Sequence, residues 1–254
     1  MNMNLLKADL FHYIKDRTTY VLLSIVFIMP LFTCLMYGMS GGNMTVEIVI
    51  FQGLGTDILC AVLGLQFSFF FGKDYANNTI RNKLCYGENR YKIAGCFFLE
   101  SALITVLYIA VSMISSLIFG SIFGSFAFSS DFGMKLLCQF CILFAFSVVM
   151  TAIVVSTKSM KVGLMVTLMI SVVFTAISYA MPTLAVKYPV VRIVCRVSYM
   201  IVSSMMISGT NGSYHVGELF AFEHMYLNAG LLSLCYIVLA IGITVFAVKK
   251  QSYK

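Results

Sequence analysis

Long apolar runs alternate with short polar segments along the whole chain. Charge-free or nearly charge-free stretches cover residues 20–39, 48–71 (interrupted only by Asp57), 93–119 (interrupted by Glu100), 136–157, 162–181 and 225–248. Each is long enough to cross about 30 Å of hydrocarbon as a helix rising 1.5 Å per residue. None shows the strict alternation of a membrane barrel strand. The pattern predicts an all-α membrane protein with six transmembrane helices in a single domain, 1–254. Ahead of the first span, residues 3–17 read as an amphipathic helix lying along the membrane interface. At 100° per residue Asn4, Asp9, His12, Lys15 and Asp16 gather on one side, and Leu6, Leu10, Tyr13 and Ile14 on the other.

Composition narrows the class. Of 254 residues, 60% are hydrophobic and 11% charged, against roughly 45–50% and about 25% in soluble domains. Too few charges remain to coat a water-soluble enzyme. The net charge of +7 arises from short basic clusters between apolar runs, which read as topology signals rather than a nucleic-acid surface. All but four of the 17 basic residues fall on one side of the six-span scheme; Lys135, Lys187, Arg192 and Arg196 fall on the other. The positive-inside bias therefore places both termini in the cytoplasm. Residues 190–207 are apolar enough for a seventh span, but that crossing would carry Lys249 and Lys250 outside. The region 182–224 is read instead as an outer re-entrant hairpin, covered by protein. The first apolar core begins near Tyr20 with no small-residue cleavage site after it, so the N-terminal segment is expected to stay attached.

Candidate chemistry is sparse. Eight cysteines are scattered, most of them within or beside apolar runs, and form no disulfide framework. Cys138 and Cys141 have CxxC spacing without a second pair. His12, His215 and His224 make no ligand spacing, and neither a GxSxG elbow nor a GxxxxGK[ST] phosphate loop is present. No catalytic or metal-binding residue is assigned, and any ATP-driven work needs a nucleotide site on another polypeptide. Within the spans Glu100 is the deep acid. Counting in from Lys92 and Lys73, Glu100 and Gln66 lie at about 12 and 10 Å depth, so a Gln66–Glu100 hydrogen bond is expected. With protonation of the carboxyl, it would relieve the cost of about 2.5 kcal/mol or more for a lone intramembrane charge. The pair serves either as a clasp between helices or as part of a translocation path.

The longest loop of the basic side, residues 73–92, carries five basic and two acidic residues. Asn77, Asn78 and Thr79 offer helix caps, and Ile80 and Leu84 are one turn apart. These features predict a short helix over 79–84 with Arg81 and Lys83 exposed; a solvated loop is the alternative. The stretch Asn78-Thr79-Ile80-Arg81-Asn82-Lys83-Leu84, followed by Gly87, Arg90 and Lys92, resembles the loop after the second span in permease subunits of ABC-2 type transporters. There a "GTIRNKL"-like sequence is common; Asn78 replaces the usual Gly and can also turn or cap.

That resemblance implies that residues 78–84 form the coupling helix that docks on a cytoplasmic ABC ATPase. ATP and magnesium would then sit on that partner, with no cofactor in this chain. It implies further a second permease chain, identical or homologous, and a bacterial cytoplasmic membrane. The cargo would be hydrophobic or amphipathic, with peptide, bacteriocin or toxin export the first expectation; the 17 Met, 22 Phe and 14 Tyr suit greasy ligands. The competing classes are a non-transporting membrane anchor or sensor subunit and an intramembrane enzyme.

Overall fold

The computed structural model describes residues 3–40, 44–54, 57–77, 79–85, 90–170, 188 and 225–250. Among them the chain forms α1 (Met3–Lys15), α2 (Arg17–Ser40), α3 (Val46–Leu54), α4 (Asp57–Ala76), α5 (Thr79–Cys85), α6 (Arg90–Phe123), α7 (Phe132–Thr157), α8 (Met160–Met169) and α9 (Met225–Lys250). No strand occurs among the described residues beyond one isolated bridge between Thr45 and Ser125. Five segments are long and apolar enough to span a membrane: Arg17–Met36, Val46–Ala76, Arg90–Phe123, Phe132–Thr157 and Ala229–Lys249. The described residues are thus helical throughout their regular elements, and the chain is a multi-pass membrane protein.

The apolar runs at 20–39, 93–119, 136–157 and 225–248 lie within these helices, and the described residues of the run 48–71 divide between α3 and α4. Of the run 162–181, only the part within α8 and Ile170 lies among the described residues. The region 182–224 falls outside them, apart from Tyr188.

Two ends of the bundle can be told apart by their contacts. The last turn of α4, α5, the start of α6, the end of α7 and the end of α9 meet around one small cavity, where Tyr75, Ile80, Ile93, Phe97, Val155 and Val248 face one another. α1 packs at this same end, so the N-terminal helix and the last turns of α9 share it. We call it the α5 end. Lys73, Lys83, Arg90 and Lys158 also lie here, and burial followed by the nearby Arg90 charge lowers the Lys158 pKa from its ordinary value. The alternation of helix direction thus gathers basic residues of separate loops on one face, as the charge pattern requires.

The opposite end is closed by a polar clasp. Ser125 donates its N–H to the Met44 carbonyl and accepts from Val46 N–H, at 3.0 and 3.1 Å. The buried Glu47 carboxylate accepts from the N–H and hydroxyl of Ser129 and from Lys135 Nζ at 3.5 Å. A charge buried at the first turn of α3 is tolerated because these donors neutralise and satisfy it.

Between the ends the core is built by close helix approach. Phe67, Phe71 and Phe97 are fully buried, with the Phe71 and Phe97 rings 4.9 Å apart. On α6, Ser101, Thr105, Ser112, Ser115 and Ser116 make a buried face of small polar side chains. Ser101, Thr105 and Ser115 bond back to carbonyls of their own helix, which lets neighbouring backbones come near. At Gly53 of α3 an added Cβ would lie 2.7 Å from Ser116 Oγ and 3.6 Å from Pro30 of α2. The outer flanks of α2, α6 and α9 are apolar and exposed, as at Phe32, Val106 and Val238. Apolar helix surface of this extent suits lipid contact.

Candidate functional site

The helix expected at 79–84 is present as α5, running Thr79–Cys85. Asn78 lies outside the described residues, as do the side chains of Arg81, Asn82 and Leu84. α5 is anchored by Ile80, 3% exposed in the core, and by Lys83 one turn later. Here the structure corrects the sequence reading. Lys83 does not face solvent; at 9% exposure it turns into the bundle. Its ammonium meets Asp9 Oδ2 of α1 at 2.7 Å and Asp74 Oδ2 of α4 at 3.2 Å, and it sits 5.5 Å from the Phe97 ring centre. Burial opposes the charged form, but the carboxylates of Asp74 and Asp9 outweigh it and hold the Lys83 pKa above its ordinary value. The stem of a lysine supplies the apolar contact and its head the charge.

Glu100 of α6 faces the same cluster, with Asp9, Lys83 and Asp74 as its charged neighbours. It is fully buried; its carboxyl lies against that of Asp9, and neither of its oxygens meets a donor N–H or hydroxyl. The expected bond to Gln66 is absent. The Gln66 amide instead donates to Thr19 Oγ1 of α2 at 3.2 Å, and its carbonyl oxygen accepts from the Tyr108 hydroxyl of α6 at 3.2 Å. The reason is helical register. α6 extends farther towards the α5 end than counting from Lys92 allows, so Glu100 stands level with the last turn of α4 and Tyr108, two turns deeper, stands level with Gln66. The site therefore holds two layers rather than one pair: an ion-pair layer of Asp9, Asp74 and Lys83 with the Glu100 carboxyl beside it, and a neutral layer of Thr19, Gln66 and Tyr108.

A third contact ties α1 to the bundle. Lys73 Nζ meets Asp16 Oδ2 at 2.6 Å and Thr18 Oγ1 at 3.4 Å, while Thr18 N–H donates to Asp16 Oδ1 at 3.2 Å. Partial burial raises the Asp16 pKa, but the Lys73 ammonium and the Thr18 donors outweigh this and hold it below the usual carboxylate range.

These contacts correct one position on α1. Asp9 and Tyr13, one turn apart, are buried at 7% and 3%, whereas Phe11 and Ile14 are exposed at 56% and 58%. Periodicity placed Asp9 on the polar side, yet it turns into the bundle; Tyr13 packs inward, and the outward Ile14 suits the apolar side of an interfacial helix. No motif identifies a buried Asp–Lys–Asp triad whose members come from three elements. The signals in the sequence are an acid at Asp9 beside Ala8, Leu10 and Phe11 and the three-residue spacing of Lys83 from Ile80.

The two-layer arrangement carries a direct test. Gln66→Leu removes the hydrogen bonds to Thr19 and from Tyr108 and is expected to cost about 1–3 kcal/mol of stability. Glu100→Gln changes a different layer, so the two effects should add within about 0.5 kcal/mol in a double-mutant cycle. A larger interaction energy would place the two side chains in contact after all. What the geometry can do chemically is bind and position: it fastens α1, α4, α5 and α6 through charge, and among the described residues no group of three or more His, Cys, Asp or Glu could hold a metal. No protein-family model matches the chain, and no curated protein is significantly similar to it.

Proposed function

We propose that the chain is the permease subunit of an ABC-2 type exporter, working with a separate cytoplasmic ATPase that holds ATP and magnesium. A second permease chain completes the pathway. The observation that carries this reading is α5 itself: a seven-residue helix in the basic loop between two spanning segments, held by an ion pair to α1 and α4 rather than left as a free loop. A short helix gripped from within is suited to pass a push from a soluble motor into the bundle. The resemblance of residues 78–84 to the coupling loop of that family points the same way. On this reading the α5 end is cytoplasmic, in a bacterial cytoplasmic membrane, with six spans and the re-entrant hairpin over 182–224. The cargo is hydrophobic or amphipathic, a peptide or toxin first.

The test is to co-express the chain with any ABC ATPase encoded beside it and to measure co-purification, ATP hydrolysis and export from vesicles. Arg81 is the position to change, because Lys83 is committed to Asp9 and Asp74. Arg81→Glu should leave membrane abundance unchanged while lowering export about tenfold or more, as expected for removing a charged docking contact. Undiminished export with Arg81→Glu, or failure of any neighbouring ATPase to co-purify with the unaltered chain, would defeat the proposal.

A further inference from the structure

The segment 7–17 contains two acids, Asp9 and Asp16, and four groups that are or can become positive: Lys7, His12, Lys15 and Arg17. Folding separates them completely. Asp9 is consumed by Lys83 and Asp16 by Lys73, both lysines coming from other helices. Lys7, His12, Lys15 and Arg17 all remain exposed. With them stand Phe11 and Ile14, each more than half exposed, and Lys15 lies 4.4 Å over the Phe11 ring. At the start of α2 the exposed Tyr20 and Val21 begin the apolar flank that suits lipid. The outward side of α1 is thus apolar, cationic and free of acids, next to the edge of the apolar belt. This is the pattern of a helix seated among anionic headgroups. Each basic side chain near such a surface favours binding by about fivefold.

We propose that the outward face of α1 is a binding surface for anionic phospholipid, and that its occupancy fixes the position of α5 through the Asp9–Lys83 ion pair. The two faces of one short helix then have separate duties: Lys7, Lys15, Phe11 and Ile14 hold lipid, and Asp9 holds Lys83. Lipid that pins α1 holds Asp9 in place and keeps α5 against α4 and α6. When α1 lifts, the same ion pair draws α5 with it or breaks. The proposal does not depend on the exporter reading, since it concerns only the position of α5 and not what docks on it.

Cys85, exposed at the end of α5, reports that position in the natural sequence. The purified full chain is placed in nanodiscs of pure phosphatidylcholine or of phosphatidylcholine with one-third phosphatidylglycerol. Labelling of Cys85 by a membrane-impermeant maleimide is followed by peptide mass spectrometry. The anionic lipid should slow labelling about fivefold or more, and high salt should reverse the effect. Lys7→Gln combined with Lys15→Gln, both on the surface, should bring the rate in anionic discs to that in zwitterionic ones. Asp9→Asn should label fast in both while the chain still retains phosphatidylglycerol through purification. Equal rates for the unaltered chain in the two discs would overturn the proposal and favour an acidic protein as the partner of this face. Persistent lipid dependence in the Lys7/Lys15 variant would remove α1 as the lipid site, and in Asp9→Asn it would remove the link to α5.

Discussion

Lys83→Met is expected to cost about 3–5 kcal/mol of folding stability, because it deletes the one ammonium among three carboxyl groups and leaves a buried negative charge without compensation. Methionine keeps most of the apolar stem, so the loss reports charge rather than packing. Asp9→Asn should be milder, since Lys83 keeps Asp74 at 3.2 Å. The informative variant is Lys83→Met with Asp9→Asn and Asp74→Asn together, which removes the charges as a set and should recover much of the loss. The check is the fraction of protein that stays monodisperse after heating in mild detergent, read by size-exclusion chromatography. If Lys83→Met is as stable as the unaltered chain, the cluster is not holding the α5 end together.

The same pair fixes a pH window. The folded pKa of Lys83 lies above its ordinary 10.5, so its contribution is fully present below that value. On the alkaline side it is lost as pH rises through the folded pKa, and on the acid side it needs the Asp9 and Asp74 carboxylates to stay ionised. The difference in stability between the unaltered chain and Lys83→Met should therefore hold through the neutral range and shrink in strong alkali.

Most of the helical frame was legible because hydrophobic run length is a one-dimensional property: a span needs about 20 apolar residues wherever they point. The short helix α5 was legible too, from Asn77 to Thr79 as caps and from Ile80 as an anchor. What failed was everything that depends on rotation or register. Lys83 is three residues from Ile80, so the burial of Ile80 already brings Lys83 to the inner side of α5; a general expectation that loop lysines face water hid this. Asp9 was misplaced for a related reason. An acid in an isolated amphipathic helix turns to water, but Asp9 is drawn into the bundle because buried Lys83 needs its charge. Gln66 and Glu100 were matched by depth from the nearest lysine, which assumes that both helices begin at the same level. α6 begins at Arg90 and reaches about two turns farther out, enough to exchange Glu100 for Tyr108 as the partner of Gln66.

One feature of the packing had a plain sequence signal. Gly64, Ser68 and Gly72 recur every fourth residue along α4, the small-residue spacing that lets membrane helices approach closely. They pack antiparallel against Thr167, Gly163 and Met160 of α8. An added Cβ on Gly72 would lie 2.6 Å from Met160 Cβ and 2.7 Å from its Cα, so only a shift of the backbone at the start of α8 could admit it. Gly72→Val is therefore expected to cost about 1–3 kcal/mol or more from overpacking and to lower membrane abundance. Gly95→Val on α6 meets no atom within 4 Å and supplies the control for the change in helix propensity alone.

Gly64 separates side-chain from backbone crowding. Its added Cβ would lie 2.6 and 2.8 Å from Thr167 Cγ2 and Oγ1, yet 3.3 Å from Thr167 Cβ. Gly64→Ala should thus destabilise alone and be largely rescued by Thr167→Ala, which removes the two offending atoms; no side-chain truncation of Met160 should rescue Gly72→Val, because the contact includes main chain. Thermal stability of these variants in detergent decides the matter. If Gly72→Val and Gly95→Val melt together, α8 does not lie against α4 at this distance. If Thr167→Ala fails to rescue Gly64→Ala, their approach is not direct.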